Sequence, residues 1–138
     1  MTDTWTGRCA CGAVTVEATG DPVAQLHCQC RQCQHRSGTG HASFVVFAGE
    51  GTVRIEGNTT SFTATGDSGN DKHQAFCPVC GTPTHVTFPA MPGVTAISPA
   101  MLDAPDRFVP AFVTYGVAAQ PWDRMDPGLT VFDRLPPG

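Results

Sequence analysis

The chain has 138 residues and 14.5 kDa, the size of one domain able to bury a core without disulfides. Charged residues make up only 14%, against about 25% in ordinary domains, which argues against disorder and against a coiled coil. Eight basic and twelve acidic residues leave a net charge of -4, which offers no footprint for nucleic acid or an anionic membrane.

Fifteen Gly and twelve Pro cut the chain into short elements and leave no room for long helices. No run of 18 apolar residues is present, so no membrane-spanning helix is expected. The segment Met1 to Gly7 has neither a basic nor an apolar signal-peptide region, and the protein is expected in a reducing cytoplasm. Seven cysteines there, an odd number, point to metal or thiol chemistry rather than to a disulfide framework.

In chain order, Val14, Val16 and Ala18 alternate with polar residues and predict a strand ended by Gly20-Asp21-Pro22. A short helical turn is expected after Cys30, stopping at Gly38. The apolar run Ala42 to Ala48 predicts a strand, and Gly49-Glu50-Gly51 reads as a hairpin into Thr52 to Glu56. A partly exposed strand is expected in Asn58 to Thr65, then a polar loop from Gly66 to Asp71, the best candidate for disorder. Further strands are predicted over Thr82 to Phe88, Val94 to Ile97 and Phe112 to Tyr115. Ser98-Pro99 reads as the start of one helical turn. Val131 and Phe132 are expected to anchor the tail, and Trp5 and Trp122 to pin the chain ends. The whole, 1–138, reads as a single, mostly β domain.

The cysteines fall into three clusters: Cys9/Cys11, Cys28/Cys30/Cys33 and Cys77/Cys80. Cys77-Pro78-Val79-Cys80-Gly81 is a zinc-knuckle pattern, in which two intervening residues let both sulfurs face one tetrahedral site. Gly81 permits the positive φ such a turn needs. Cys9-Ala10-Cys11-Gly12 is a half-site of the same kind, one residue shorter. Together they suggest one structural zinc on four thiolates, joining the N-terminal strand to the middle of the chain.

The remaining three thiols, Cys28, Cys30 and Cys33, can cap one face of a second metal ion. Two outcomes stay open at this point. With a free fourth position the ion is catalytic and favours a thiol as incoming ligand. With His27, His35 or a more distant histidine as fourth ligand the site is closed and structural. A redox trio is weaker, because it leaves the other clusters without a role. Arg31 and Arg36 lie beside the trio in sequence and are expected to offset its charge.

The order C-x-C-G, C-x-C-x-x-C, F-C-x-x-C-G resembles the GFA domain family, the glutathione-dependent formaldehyde-activating enzymes and centromere protein V-like proteins. Ser37-Gly38 with the Phe44-to-Phe47 strand, Phe108-Val109-Pro110 and Gln120-Pro121-Trp122 add weaker similarity. The resemblance implies a β-tent (Mss4-like) fold of twisted antiparallel sheets and two Zn2+ per chain. It implies structural zinc on Cys9, Cys11, Cys77 and Cys80, and catalytic zinc on Cys28, Cys30 and Cys33. It further implies a carbon–sulfur lyase activity, with glutathione as co-substrate and formaldehyde or another small aldehyde as partner. Two positions depart from the family's common pattern: Gln29 stands where relatives often have His, and Gln34 where they often have Arg. Arg31, Arg36, Lys72 and Arg107 are charge-based candidates for holding glutathione carboxylates. The alternative reading is a non-enzymatic zinc module that binds a protein partner.

Overall fold

Alternating polar and apolar residues turn Trp5, Val16 and Ala18 to one side of two neighbouring strands, and every second residue there is buried. The computed structural model describes residues 3–137, so Met1, Thr2 and Gly138 at the ends of the expected span lie outside the described residues. In chain order its strands are β1 (Thr4–Arg8), β2 (Thr15–Thr19), β3 (Ala24–Cys28), β4 (Ala42–Phe47), β5 (Val53–Glu56), β6 (Thr60–Thr65), β7 (Asp71–Phe76), β8 (Pro83–Thr87), β9 (Thr95–Ile97), β10 (Phe112–Thr114) and β11 (Thr130–Val131). Helix α1 (Arg31–Ser37) stands between β3 and β4. The mostly β class read from the sequence is what the structure has.

Strands β1, β2 and β5 form a three-stranded antiparallel sheet, and the other eight form a second sheet in the order β11-β10-β3-β4-β9-β8-β7-β6. The larger sheet is mixed rather than wholly antiparallel, because β10 runs parallel to both β3 and β11. The core lies between the sheets. Trp5, Val14, Val16 and Ala18 come from one side, Val45, Phe47 and Ile97 from the other, and Met101 and Leu102 close the end. Trp5 packs edge-on against Phe47 with ring centroids 5.8 Å apart.

The hairpin expected at Gly49-Glu50-Gly51 is instead a crossover between sheets. Strand β4 pairs with β3 and β9, whereas β5 pairs with β2. The polar segment after β6 is a tight connection to β7, closed by hydrogen bonds from Gly66 N–H to Asn70 O and from Gly69 N–H to Gly66 O. Phe132 anchors the tail as expected, stacking edge-on with Phe112 at 5.8 Å and donating its N–H to Val113 O. Trp122 does not pin the chain, since it is 64% exposed. Among the described residues no helix is long and apolar enough to cross a membrane.

Gly7 shows how closely the layers approach. A Cβ at this position would sit 2.1 Å from the Met101 carbonyl oxygen, where Gly7 bridges to Leu102. Gly7→Ala is therefore expected to cost about 3 kcal/mol by overpacking. Urea unfolding checks this, and an unchanged midpoint would mean that β1 does not need the close approach.

Candidate metal centres

Cys9 and Cys11 follow β1 of the small sheet, and Cys77 and Cys80 follow β7 of the large one. The two turns are built alike. Cys9 N–H donates to Val14 O and Gly12 N–H to Cys9 O, while Cys77 N–H donates to Thr82 O and Gly81 N–H to Cys77 O. Gly12 and Gly81 take φ of 80° and 77°, the left-handed region that these turns require. The turns face one another, and all four Sγ atoms lie within 4.8 Å of each other.

Cys9 Sγ is 3.6 Å from Cys11 Sγ, and Cys11 Sγ is 3.7 Å from Cys77 Sγ. A tetrahedron of sulfurs about 2.3 Å from a central zinc has edges of about 3.8 Å, so this donor set fits the ion. Backbone groups point at the sulfurs as well: Val14 N–H donates to Cys9 Sγ at 3.3 Å and Val79 N–H to Cys77 Sγ at 3.4 Å. The Thr82 hydroxyl accepts from Ala10 N–H and lies 3.1 Å from Cys80 Sγ, within hydrogen-bond reach. That bond, followed by the Thr82 backbone, holds the Cys80 thiol low, at about 5.

The second group forms where β3 runs into α1. Cys28 ends β3, Cys30 is the N-cap of α1, and Cys33 lies within its first turn. Cys33 N–H donates to Cys30 Sγ at 3.3 Å, the capping bond that a Ser or Asp oxygen usually supplies. The helix ends at Gly38, which takes φ 76° and donates its N–H to Gln34 O. The three Sγ atoms lie within 4.8 Å of one another. Hydrogen bonds from Cys28 and then Cys33 hold the Cys30 thiol well below its ordinary range. Contacts with Cys28 and then Cys30 push Cys33 up. Three thiols packed this closely cannot all ionise unless a cation stands among them, and a divalent ion that binds thiolates suits the set.

No His, Asp or Glu among the described residues offers an atom within 4.8 Å of all three trio sulfurs. His27 turns to the other side of β3, with Nδ1 2.7 Å from Ser43 Oγ and its ring 4.7 Å from that of His41. His41 in turn contacts Asp123 through Nδ1 at 2.9 Å. The closed site with His27 or His35 as fourth ligand is not formed.

Gln29 also points away from the sulfurs. It is buried, and its Nε2 donates to Asp123 Oδ2 at 3.1 Å. Gln34 Nε2 donates to Gln29 O and to Ala118 O, which braces the loop from behind. Both departures from the family pattern therefore fall on supporting positions rather than on the sulfur cluster.

The trio opens onto a cleft of about 690 Å³, whereas the four-cysteine group contributes nothing to its lining. The charge candidates divide accordingly. Arg31 and Lys72 line the cleft, with Lys72 facing Cys30 electrostatically. Arg36 is half-buried and donates to Ala75 O and His85 O. Arg107 stacks on Trp5 at 3.7 Å and pairs with Asp3, away from the cleft.

Tyr115 was not singled out by the sequence. It packs against the buried cluster of Cys28, Cys33 and Ala42 and lines the cleft, with φ 58°, unusual for a residue other than Gly. Burial, and then a hydrogen bond to Asp67, push its phenol up to about 12.

The fold and these two donor sets define a small two-sheet protein with one closed thiol cage and one three-thiol group at a cleft. A family model described as glutathione-dependent formaldehyde-activating enzyme matches residues 4–117, and the chain belongs to this GFA family. No curated protein matches it. Among solved structures, the crystal structure of a Rhodobacter sphaeroides protein is similar at 23% identity and a TM-score of 0.55. That similarity covers 71% of this chain and 87% of the other, and it concerns the fold.

Proposed function

We propose that this chain is a zinc enzyme that adds a thiol to formaldehyde or another small aldehyde, a carbon–sulfur lyase in the reverse direction. Glutathione is the thiol of the family's namesake reaction. One observation carries the reading: Cys28, Cys30 and Cys33 stand at a cleft with no fourth His, Cys, Asp or Glu donor among the described residues, while Cys9, Cys11, Cys77 and Cys80 form a four-thiol cage. The cage is assigned to structural zinc and the trio to catalytic zinc, two ions per chain.

Zinc on three thiolates supplies an open position at which a soft ligand such as a thiol loses its proton at neutral pH. The overall reaction forms an S–C bond to the carbonyl carbon and moves the thiol proton to the carbonyl oxygen. Nothing is oxidised or reduced. Tyr115 suits the proton's delivery, because its phenol stays protonated at neutral pH and lies beside Cys28 at the cleft. Asp67, exposed at the cleft rim, stands near this phenol and helps hold its proton. Lys72 offers one cation for an anionic group of the substrate.

Exchange NMR between glutathione and its formaldehyde adduct tests the reading. The zinc-loaded protein is expected to accelerate exchange, and a rate no greater than that of the Cys30→Ala variant would remove the proposal. Tyr115→Phe is expected to lower kcat about 100-fold with zinc content unchanged. A kcat within twofold of the parent would take the proton-delivery role from Tyr115.

A further inference from the structure

The strand period of two divides the large sheet between core and cleft. Val45, Phe47 and Ile97 face the core and are fully buried. The alternate residues Leu26, Phe44, Val46 and Ala96 form the floor of the cleft. Register makes this floor continuous: Leu26 lies opposite Phe44, Val46 opposite Ala96, and Ala96 opposite Val86. Cys28 is two residues from Leu26 on the same face of β3, so the strip starts at the three thiols. It crosses four strands, about 14 Å at the usual spacing. Leu26, Phe44 and Val46 are only half-buried there, and Phe88 continues the strip beyond Val86.

One ion pair forms at the cleft rim, and two further rim charges bond neutral groups. Arg134 pairs with Asp67 at 3.1 Å, Arg31 donates to Gln34 Oε1, and Asp71 accepts from the Thr65 hydroxyl at 2.9 Å. Among the described residues Lys72 makes no ion pair. Formaldehyde contributes one carbon and leaves the strip uncovered. A cleft of about 690 Å³ has instead the size and apolar character of a site for a whole organic ligand.

We propose that the thiol–aldehyde adduct handled at the three-cysteine end carries a hydrophobic aliphatic or aromatic body together with an anionic group. The body lies along the Leu26-to-Val86 strip and the anionic group reaches Lys72. This rests on the thiol-addition reading and names its substrate class. The chemistry is unchanged: the S–C bond forms, and the thiol proton ends on the carbonyl oxygen.

Calorimetric titration of the zinc-loaded protein with straight-chain ω-mercaptocarboxylates of two to eight methylene groups tests the proposal without turnover. Affinity is expected to rise about threefold per added methylene until the strip is covered, at least tenfold across the series. Val46→Thr and Phe88→Ser are each expected to weaken the longest thiol about threefold or more, with the shortest little changed. Should either variant misfold, the gradient in the parent protein decides alone.

Three turnover arms then locate the body: glutathione with formaldehyde, glutathione with hexanal, and the longest mercaptocarboxylate with formaldehyde. A faster hexanal arm places the body on the aldehyde, a faster mercaptocarboxylate arm places it on the thiol, and either supports the proposal. A flat affinity series overturns it, even where glutathione and formaldehyde are turned over. A steep series with no turnover in any arm supports the hydrophobic ligand class and overturns the enzymatic reading.

Discussion

Cys30→Ala is expected to reduce turnover to the uncatalysed rate and zinc from two ions per chain to one, while leaving a folded protein. The change removes one of three donors at the cleft, so the trio no longer holds an ion firmly. Its structural cost is small by comparison. Cys30 is only half-buried, and its fold-supporting contact is the capping bond to Cys33 N–H, worth about 1 kcal/mol. The core between the sheets and the four-cysteine cage are untouched. Circular dichroism, metal analysis and exchange NMR on one preparation check the three parts together. Full activity in this variant would take the catalytic role from the trio.

Cys77→Ala is expected to leave no stably folded protein at room temperature. The four-cysteine cage joins the turn after β1 to the turn after β7, and so ties the small sheet to the large one. Structural zinc on such a set supplies about 10–16 kcal/mol of binding free energy, as much as the whole stability of an ordinary domain. Cys77 is fully buried in the core, so part of its effect is packing. Cys80→Ala separates the two contributions. Cys80 is exposed and fills no core space, yet its loss opens the same cage. It is expected to unfold the protein as Cys77→Ala does, and an unchanged melting temperature would contradict the structural-metal assignment.

What the sequence shows about these centres is what local spacing can carry. The knuckle at Cys77 to Gly81 and its shorter counterpart at Cys9 to Gly12 are set by turns of a few residues, and glycine marks the positive φ in each. The helical turn from Cys30 to Gly38 is legible for the same reason. Pairing between distant strands is less so. The apolar run Ala42 to Ala48 marks β4 but does not say which sheet it joins, and the turn-like Gly49-Glu50-Gly51 before β5 reads as a hairpin when it is a crossover. Tyr115 follows the three residues of β10 and looks like their continuation. Only the folded chain shows that its backbone turns to φ 58° and sets the ring against the thiols. The cleft itself joins β3, β4, β8, β9, the turn after β6 and the C-terminal tail, a set with no local signature. Trp122 shows the converse error, since an aromatic residue near a chain end suggests an anchor but here stays in solvent.

Zinc K-edge X-ray absorption on the metal-loaded protein tests the central claim, one closed four-thiolate zinc and one open three-thiolate zinc. Seven sulfurs over two ions give about 3.5 sulfurs per zinc, rising to about 4 when excess thiol fills the open position. That rise is the result expected here. Four sulfurs per zinc before any thiol is added, or a sulfur count that thiol does not change, would contradict the open site and with it the proposed chemistry.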